Sequence, residues 1–87
     1  MNRLEDKVAI ITGATGGIGK AATELFLKEG ANVLMVDLNE DDLVEVSNEI
    51  NSNKLSYFQG DVTLFADNQK AVELAKERYG GLDIFIA

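Results

Sequence analysis

Four glycines fall within seven positions of the segment Thr12-Gly13-Ala14-Thr15-Gly16-Gly17-Ile18-Gly19. A run of this kind suits a polyanion, because a diphosphate reaches backbone N–H groups closely only where side chains are missing. The start of a helix adds unpaired amides and a favourable dipole. In that setting Gly13 makes the turn, Gly17 admits the anion, and Gly19 lets the helix lie against the preceding strand. A plain turn needs far fewer glycines, so the loop points to nucleotide binding. Asp37 stands 18 residues after Gly19. That is near the spacing at which an acidic side chain accepts hydrogen bonds from both hydroxyls of an adenosine ribose and repels a 2′-phosphate. No Lys or Arg lies between Thr12 and Gly19 or directly after Asp37 to hold such a phosphate. The expected cofactor is therefore NAD, not NADP.

Composition narrows the remaining chemistry. The 87 residues include no Cys and no His, which removes thiol nucleophiles, imidazole bases, disulfides and Cys/His metal clusters; no metal site is expected. Hydrophobic residues make up 46% of the chain and charged residues 26%, the balance of a folded domain. A formal charge of -7 disfavours nucleic acid and anionic membrane surfaces as partners. The polar start, with Arg3, Glu5, Asp6 and Lys7, is neither a signal peptide nor an anchor, and the absence of Cys fits a cytoplasmic setting.

The loop acts as a cradle only if a strand ends before it and a helix begins inside it. Lys7–Thr12, Asn32–Asp37, Lys54–Gln59 and Asp83–Ala87 are short and rich in β-branched or aromatic residues, and they read as strands. The first, second and fourth are nearly continuous in apolar residues, as expected when helices cover both faces of a parallel sheet, whereas the third reads as an edge. Ile18, Ala21, Ala22, Leu25 and Phe26 give a first helical stripe, ended by Gly30. Asn39 caps a second helix with Leu43, Val46 and Ile50 inward, and Asp41 and Asp42 in its first turn. Thr63 is expected to cap a third helix, with Ala71 or Val72, Ala75 and Tyr79 inward, and Gly80-Gly81 at its end. The order β-α-β-α-β-α-β implies right-handed crossovers in an α/β layered fold.

Three segments, in order along the whole chain, resemble the short-chain dehydrogenase/reductase family, in its common short branch. The loop from Thr12 to Gly19 is similar to the family's Thr-Gly-x-x-x-Gly-Ile-Gly motif. Gly60-Asp61-Val62-Thr63 is similar to its Asp-Val pair, and Gly80 to Ala87 resembles the run into a fourth strand that continues as Asn-Ala-Gly. The resemblance implies a Rossmann-type parallel sheet of strand order 3-2-1-4. Residues 1–87 would be the amino-terminal part of an NAD-binding domain. It also implies cofactor contacts at Gly13, Thr15, Gly16, Gly17, Ile18, Gly19, Asp37, Leu38, Asp61 and Val62. Asp61 and Val62 would meet the adenine, Thr15 and Ile18 the diphosphate through backbone or hydroxyl groups, and Leu38 the adenosine through its amide.

The family's chemistry resembles general acid catalysis by a Tyr with a Lys four residues on, beside a Ser that binds the substrate carbonyl. Tyr57 has Asp61 at the Lys position and Tyr79 has Asp83, so neither qualifies and no catalytic residue is assigned here. The chain is accordingly expected to be the amino-terminal, catalytically incomplete part of an oxidoreductase. Such an enzyme moves hydride between NAD and an alcohol or ketone and is usually a homo-tetramer when full length. The last strand would then form a sheet edge, an association hazard when unpaired. Two alternatives share the glycines. Gly13, Gly16 and Gly19 also match the spacing of the extended branch of epimerases and dehydratases, although Gly17 replaces an aromatic residue usual there. A non-catalytic NAD-binding module would use the same loop.

Overall fold

The computed structural model of the chain describes residues 3–86. Its elements are β1 (Val8–Thr12), α1 (Gly17–Lys28), β2 (Asn32–Asp37), α2 (Glu40–Ile50), β3 (Leu55–Gln59), α3 (Phe65–Tyr79) and β4 (Ile84–Ile86). The strands form one parallel sheet in the order β3-β2-β1-β4. Each strand lies inside the expected span, and Ala87, expected in the fourth strand, is outside the described residues.

Alternation along the two central strands divides the core into two layers. Ala9, Ile11, Val33 and Met35 face α1 and α2, where Leu43 and Val46 meet them. Val8, Ile10, Leu34 and Val36 face the other way, onto Ala71 and Ala75 of α3. Both faces of β1 and β2 are thus apolar, which is why these strands read as continuous hydrophobic runs. Fully burying each of Ile10, Ile11 and Leu34 stabilises the fold by about 1.5–3 kcal/mol. The small side chains of Ala71 and Ala75 let α3 lie close to the sheet.

The helix ends show which local signals held. Asn39 accepts a hydrogen bond from the Asp42 amide at 3.1 Å, the expected cap of α2. Gly30, at φ +95°, closes α1: its amide donates to the Leu27 carbonyl, and the Ala31 amide donates to that of Phe26. Thr63 does not cap α3, which begins after Leu64 without a side-chain cap. The Thr63 hydroxyl instead donates to Asp61 Oδ1 at 2.6 Å, which turns it toward the residues that precede the helix.

The stripe of α1 also differs from expectation. Ile18 is 90% exposed and Leu25 54%, while Thr23 is fully buried. Ala22, Phe26 and Leu27 pack on the core with it, so the inward face runs through positions 19, 22, 23, 26 and 27. Contact between Gly19 and the glycine loop selects that face. Thr23 is accommodated because its hydroxyl donates to the Gly19 carbonyl at 2.9 Å.

At the opposite end of the sheet, Asp83 staples the chain. Its carboxylate accepts from the Val8 amide at 2.9 Å, and its own amide donates to the Val8 carbonyl at 2.9 Å. This double link starts the β1·β4 pairing, which continues as Ala9↔Ile84, Ile10↔Phe85 and Ile11↔Ile86. Asp83→Ala is expected to cost about 1–2 kcal/mol by leaving the Val8 amide without its acceptor. The effect should appear as a lower urea midpoint with an unchanged slope, and an unmoved midpoint would show that water replaces the carboxylate fully. Tyr79 lies at this same end: its hydroxyl is 2.7 Å from Ser56 Oγ and donates to the carbonyls of Lys54 and Val33 at 3.3 and 3.4 Å.

Candidate functional site

The carboxyl ends of β1, β2 and β3 and the turns that follow them border a cleft of about 210 Å³. It is lined by Thr12 and Gly13 after β1, by Val36, Asp37 and Leu38 after β2, and by Gly60 to Thr63 after β3. The sheet switches direction beside it: α1 and α2 cover one face and α3 the other, with β1 between β2 and β4. Such a crevice at the carboxyl ends of parallel strands is where open α/β sheets bind ligands.

The glycines separate into those the fold requires and those it does not. Gly13 adopts φ +61°, a left-handed conformation costly for other residues, and its carbonyl accepts from the Gly16 amide at 3.2 Å. A Cβ on Gly19 would stand 2.3 Å from the Gly13 carbonyl oxygen and 2.7 Å from Ala14 Cα, so the helix can approach the loop only without one. Gly17 is different. A Cβ there meets nothing within 4 Å, and one on Gly16 meets only the Gly13 oxygen at 3.5 Å. Packing within the chain gives no reason for these two glycines, and the space beside Gly17 is open to a ligand. Gly16 precedes α1 with no side-chain cap and the first turn carries no acidic residue, so the amides of Gly17, Ile18 and Gly19 begin the helix uncapped. Ile18 brings its amide to this point while its side chain projects into solvent.

Asp37 ends β2 directly beside the loop. Its Oδ2 accepts from the Thr15 amide at 3.0 Å and the Thr15 hydroxyl at 2.5 Å, and its Oδ1 accepts from the Leu38 amide at 2.8 Å. Partial burial acts to raise the Asp37 carboxyl pKa, but the Thr15 hydroxyl, the Thr15 amide and the Leu38 amide together hold it below the usual carboxylate value. The expectation for Thr15 and Leu38 placed them on the nucleotide. Here the Leu38 amide and both Thr15 donors are directed at Asp37, and the Leu38 side chain, 64% exposed, borders the cleft.

Asp61 and Val62 complete the far wall. The Asp61 carboxyl is held below its ordinary value by the Thr63 hydroxyl and then the Thr63 amide, both donating to Oδ1. The Asp61 amide donates to Asp67 at 2.8 Å, and Asn68 donates to the Val62 carbonyl, so the start of α3 anchors the turn. Gln59, which the motifs did not single out, donates to the Leu38 carbonyl at 3.1 Å and ties the β2 and β3 walls together. Its place as the last residue of β3, directly before Gly60-Asp61, was the available signal. All ten expected cofactor-contact residues thus gather at one end of the sheet. Neither tyrosine does: Tyr57 pairs with Met35 inside the sheet, and Tyr79 lies at the other end.

The short chain dehydrogenase family model matches residues 7–87. The chain belongs to that family. Among curated relatives, an uncharacterised oxidoreductase of Staphylococcus aureus is 37% identical over 86 residues, covering 99% of this chain and 37% of the relative. Two crystal structures from Brucella melitensis share the fold. A short-chain dehydrogenase/reductase titled as a glucose/ribitol dehydrogenase superposes with a TM-score of 0.90 at 36% identity, over 94% of this chain and 35% of its own. A 3-ketoacyl-(acyl-carrier-protein) reductase complexed with NADH gives 0.87 at 38% identity, over 94% of this chain and 33% of its own. The chain therefore spans about a third of the length of the family members it matches.

Proposed function

We propose that the protein is an NAD-dependent oxidoreductase acting on an alcohol or ketone, and that these 87 residues supply the adenosine and diphosphate half of its cofactor site. NAD, when bound, supplies the hydride-accepting nicotinamide. This chain's own residues hold the other end: the amides opening α1 meet the diphosphate, Asp37 takes the ribose hydroxyls, and Asp61 and Val62 border the adenine. The carbonyl-binding Ser and the Tyr-x-x-x-Lys pair needed for turnover would lie in a following portion of the protein, along with the contacts of a homo-tetramer. A cytoplasmic location belongs to the same proposal; no helix among the described residues is long and apolar enough to cross a membrane.

The observation that carries the choice of NAD is the placement of Asp37, ionised at neutral pH, in a cleft whose lining contains no Lys or Arg. A 2′-phosphate there would meet a carboxylate with no cation to offset the repulsion. Lys20, the cation nearest the loop in sequence, pairs instead with Glu49 across α1 and α2. Titration of the protein with NAD and NADP should show NAD binding at least about tenfold more tightly, a difference of about 1.4 kcal/mol. Tighter binding of NADP would reject the assignment.

A further inference from the structure

Asp37 meets the cleft with most of its hydrogen-bonding capacity already used. A carboxylate offers about four lone-pair directions, two on each oxygen. Oδ2 receives both the amide and the hydroxyl of Thr15, and Oδ1 receives the Leu38 amide. One direction, on Oδ1, has no partner among the described residues. A ribose presents two neighbouring O–H donors and needs two acceptor directions. Of the three donors now on Asp37, two are backbone amides whose positions are set by the chain. The third, the Thr15 hydroxyl, can leave by rotation about a single side-chain bond.

We infer that the Thr15 hydroxyl stands in for one ribose hydroxyl in the free protein, orienting Asp37 against the glycine loop and yielding its place when the nucleotide binds. Thr15 is thus a positioning residue that acts through Asp37. The inference rests on the reading of Asp37 as the ribose acceptor. A sugar lacking the 2′-hydroxyl needs only one direction and can use the one left open on Oδ1, whereas a full ribose must displace Thr15. The Thr15 hydroxyl therefore penalises the intact ribose and leaves the deoxy sugar unaffected.

The test measures affinity for NAD and for the NAD analogue lacking the adenosine 2′-hydroxyl, in the wild-type protein, Thr15→Val and Thr15→Ser. Valine preserves shape and the backbone amide but removes the hydroxyl donor; Thr15→Ala removes the same donor should valine disturb the loop. Thr15→Val should raise the ratio of NAD to deoxy-analogue affinity about three- to tenfold, and Thr15→Ser should keep the wild-type ratio. An NMR titration of the Asp37 carboxyl without ligand should show its pKa rising in Thr15→Val and not in Thr15→Ser. An unchanged or lower ratio, with NAD still bound, overturns the role of Thr15 alone. An unmoved Asp37 titration overturns the stand-in hydrogen bond whatever the ligand does, and failure of the wild-type protein to bind NAD removes the cofactor reading and this inference together.

Discussion

Gly19→Ala is expected to destabilise the protein and weaken nucleotide binding, whereas Gly17→Ala should weaken binding and leave the fold intact. The added methyl at position 19 would stand 2.3 Å from the Gly13 carbonyl oxygen, 2.7 Å from Ala14 Cα and 2.9 Å from the Gly13 carbonyl carbon. All three atoms are backbone, so no side chain can rotate aside, and α1 must move away from β1. Overpacking of this kind costs about 1–3 kcal/mol, and the rigidity of the neighbours places this case at the upper end. The better helix propensity of alanine returns about 1 kcal/mol. The net loss of about 2 kcal/mol is a large share of the stability of a small domain and corresponds to a melting temperature lower by about 8–16 °C. At Gly17 the same methyl enters open space, so stability should be equal or slightly greater. It would nevertheless occupy the approach to the first amides of α1, and NAD affinity should fall about 10- to 100-fold. Thermal melting and calorimetric titration of both variants separate the two roles. A Gly19→Ala protein that melts like the wild type would mean that the loop yields, and a Gly17→Ala protein with full affinity would place the diphosphate elsewhere.

Asp37→Ala is the second change with a large expected effect. Hydrogen bonds to a charged group contribute about 1.5–3 kcal/mol each, so loss of the two ribose contacts should weaken NAD binding by at least about 100-fold. The repulsion of a 2′-phosphate disappears with the carboxylate, so NADP should lose far less and the preference should narrow. Unchanged NAD affinity would reject the ribose role. Asp37 also shapes the pH dependence of stability. Its carboxyl has a lower pKa in the folded chain than the ordinary value near about 3.9, so folding releases a proton as the pH passes through that range. The stabilisation is fully present above the unfolded value and is lost as pH falls through the folded one. Melting curves of wild type and Asp37→Ala should therefore differ by a constant amount near neutrality and converge in strong acid. A difference that persists there would trace the effect to something other than the ionised carboxylate.

The order of elements and the strand order were legible because they rest on local patterns. Apolar runs such as Val8–Ile11 and Val33–Val36 mark strands buried on both faces. Asn39 and Gly30 sit where short-range capping chemistry acts within a few residues. The reading of Thr63 as a cap failed for a related reason. Asp61, two residues away and negatively charged, accepts the Thr63 hydroxyl proton and draws that side chain into the turn, and α3 begins one residue later, after Leu64. The inward face of α1 was misplaced by about one position. Periodicity admits neighbouring stripes, and the choice between them was made by contact between Gly19 and the loop.

The residue types and spacing from Thr12 to Gly19, with Asp37 and the Asp61-Val62 pair, were enough to point to the family and the layered α/β fold, and the fold gathers those residues at one end of the sheet. Those features depend on backbone periodicity and on side chains within a few residues of one another. The tertiary structure alone decided which glycines serve the fold and which leave room for a ligand, because the difference lies in atoms brought close by packing. It also decided that Thr15 occupies Asp37 and that Asp83 holds Val8, partners separated by 22 and 75 residues. Contacts at such separations depend on how the strands align, and spacing along the chain carries no record of that alignment.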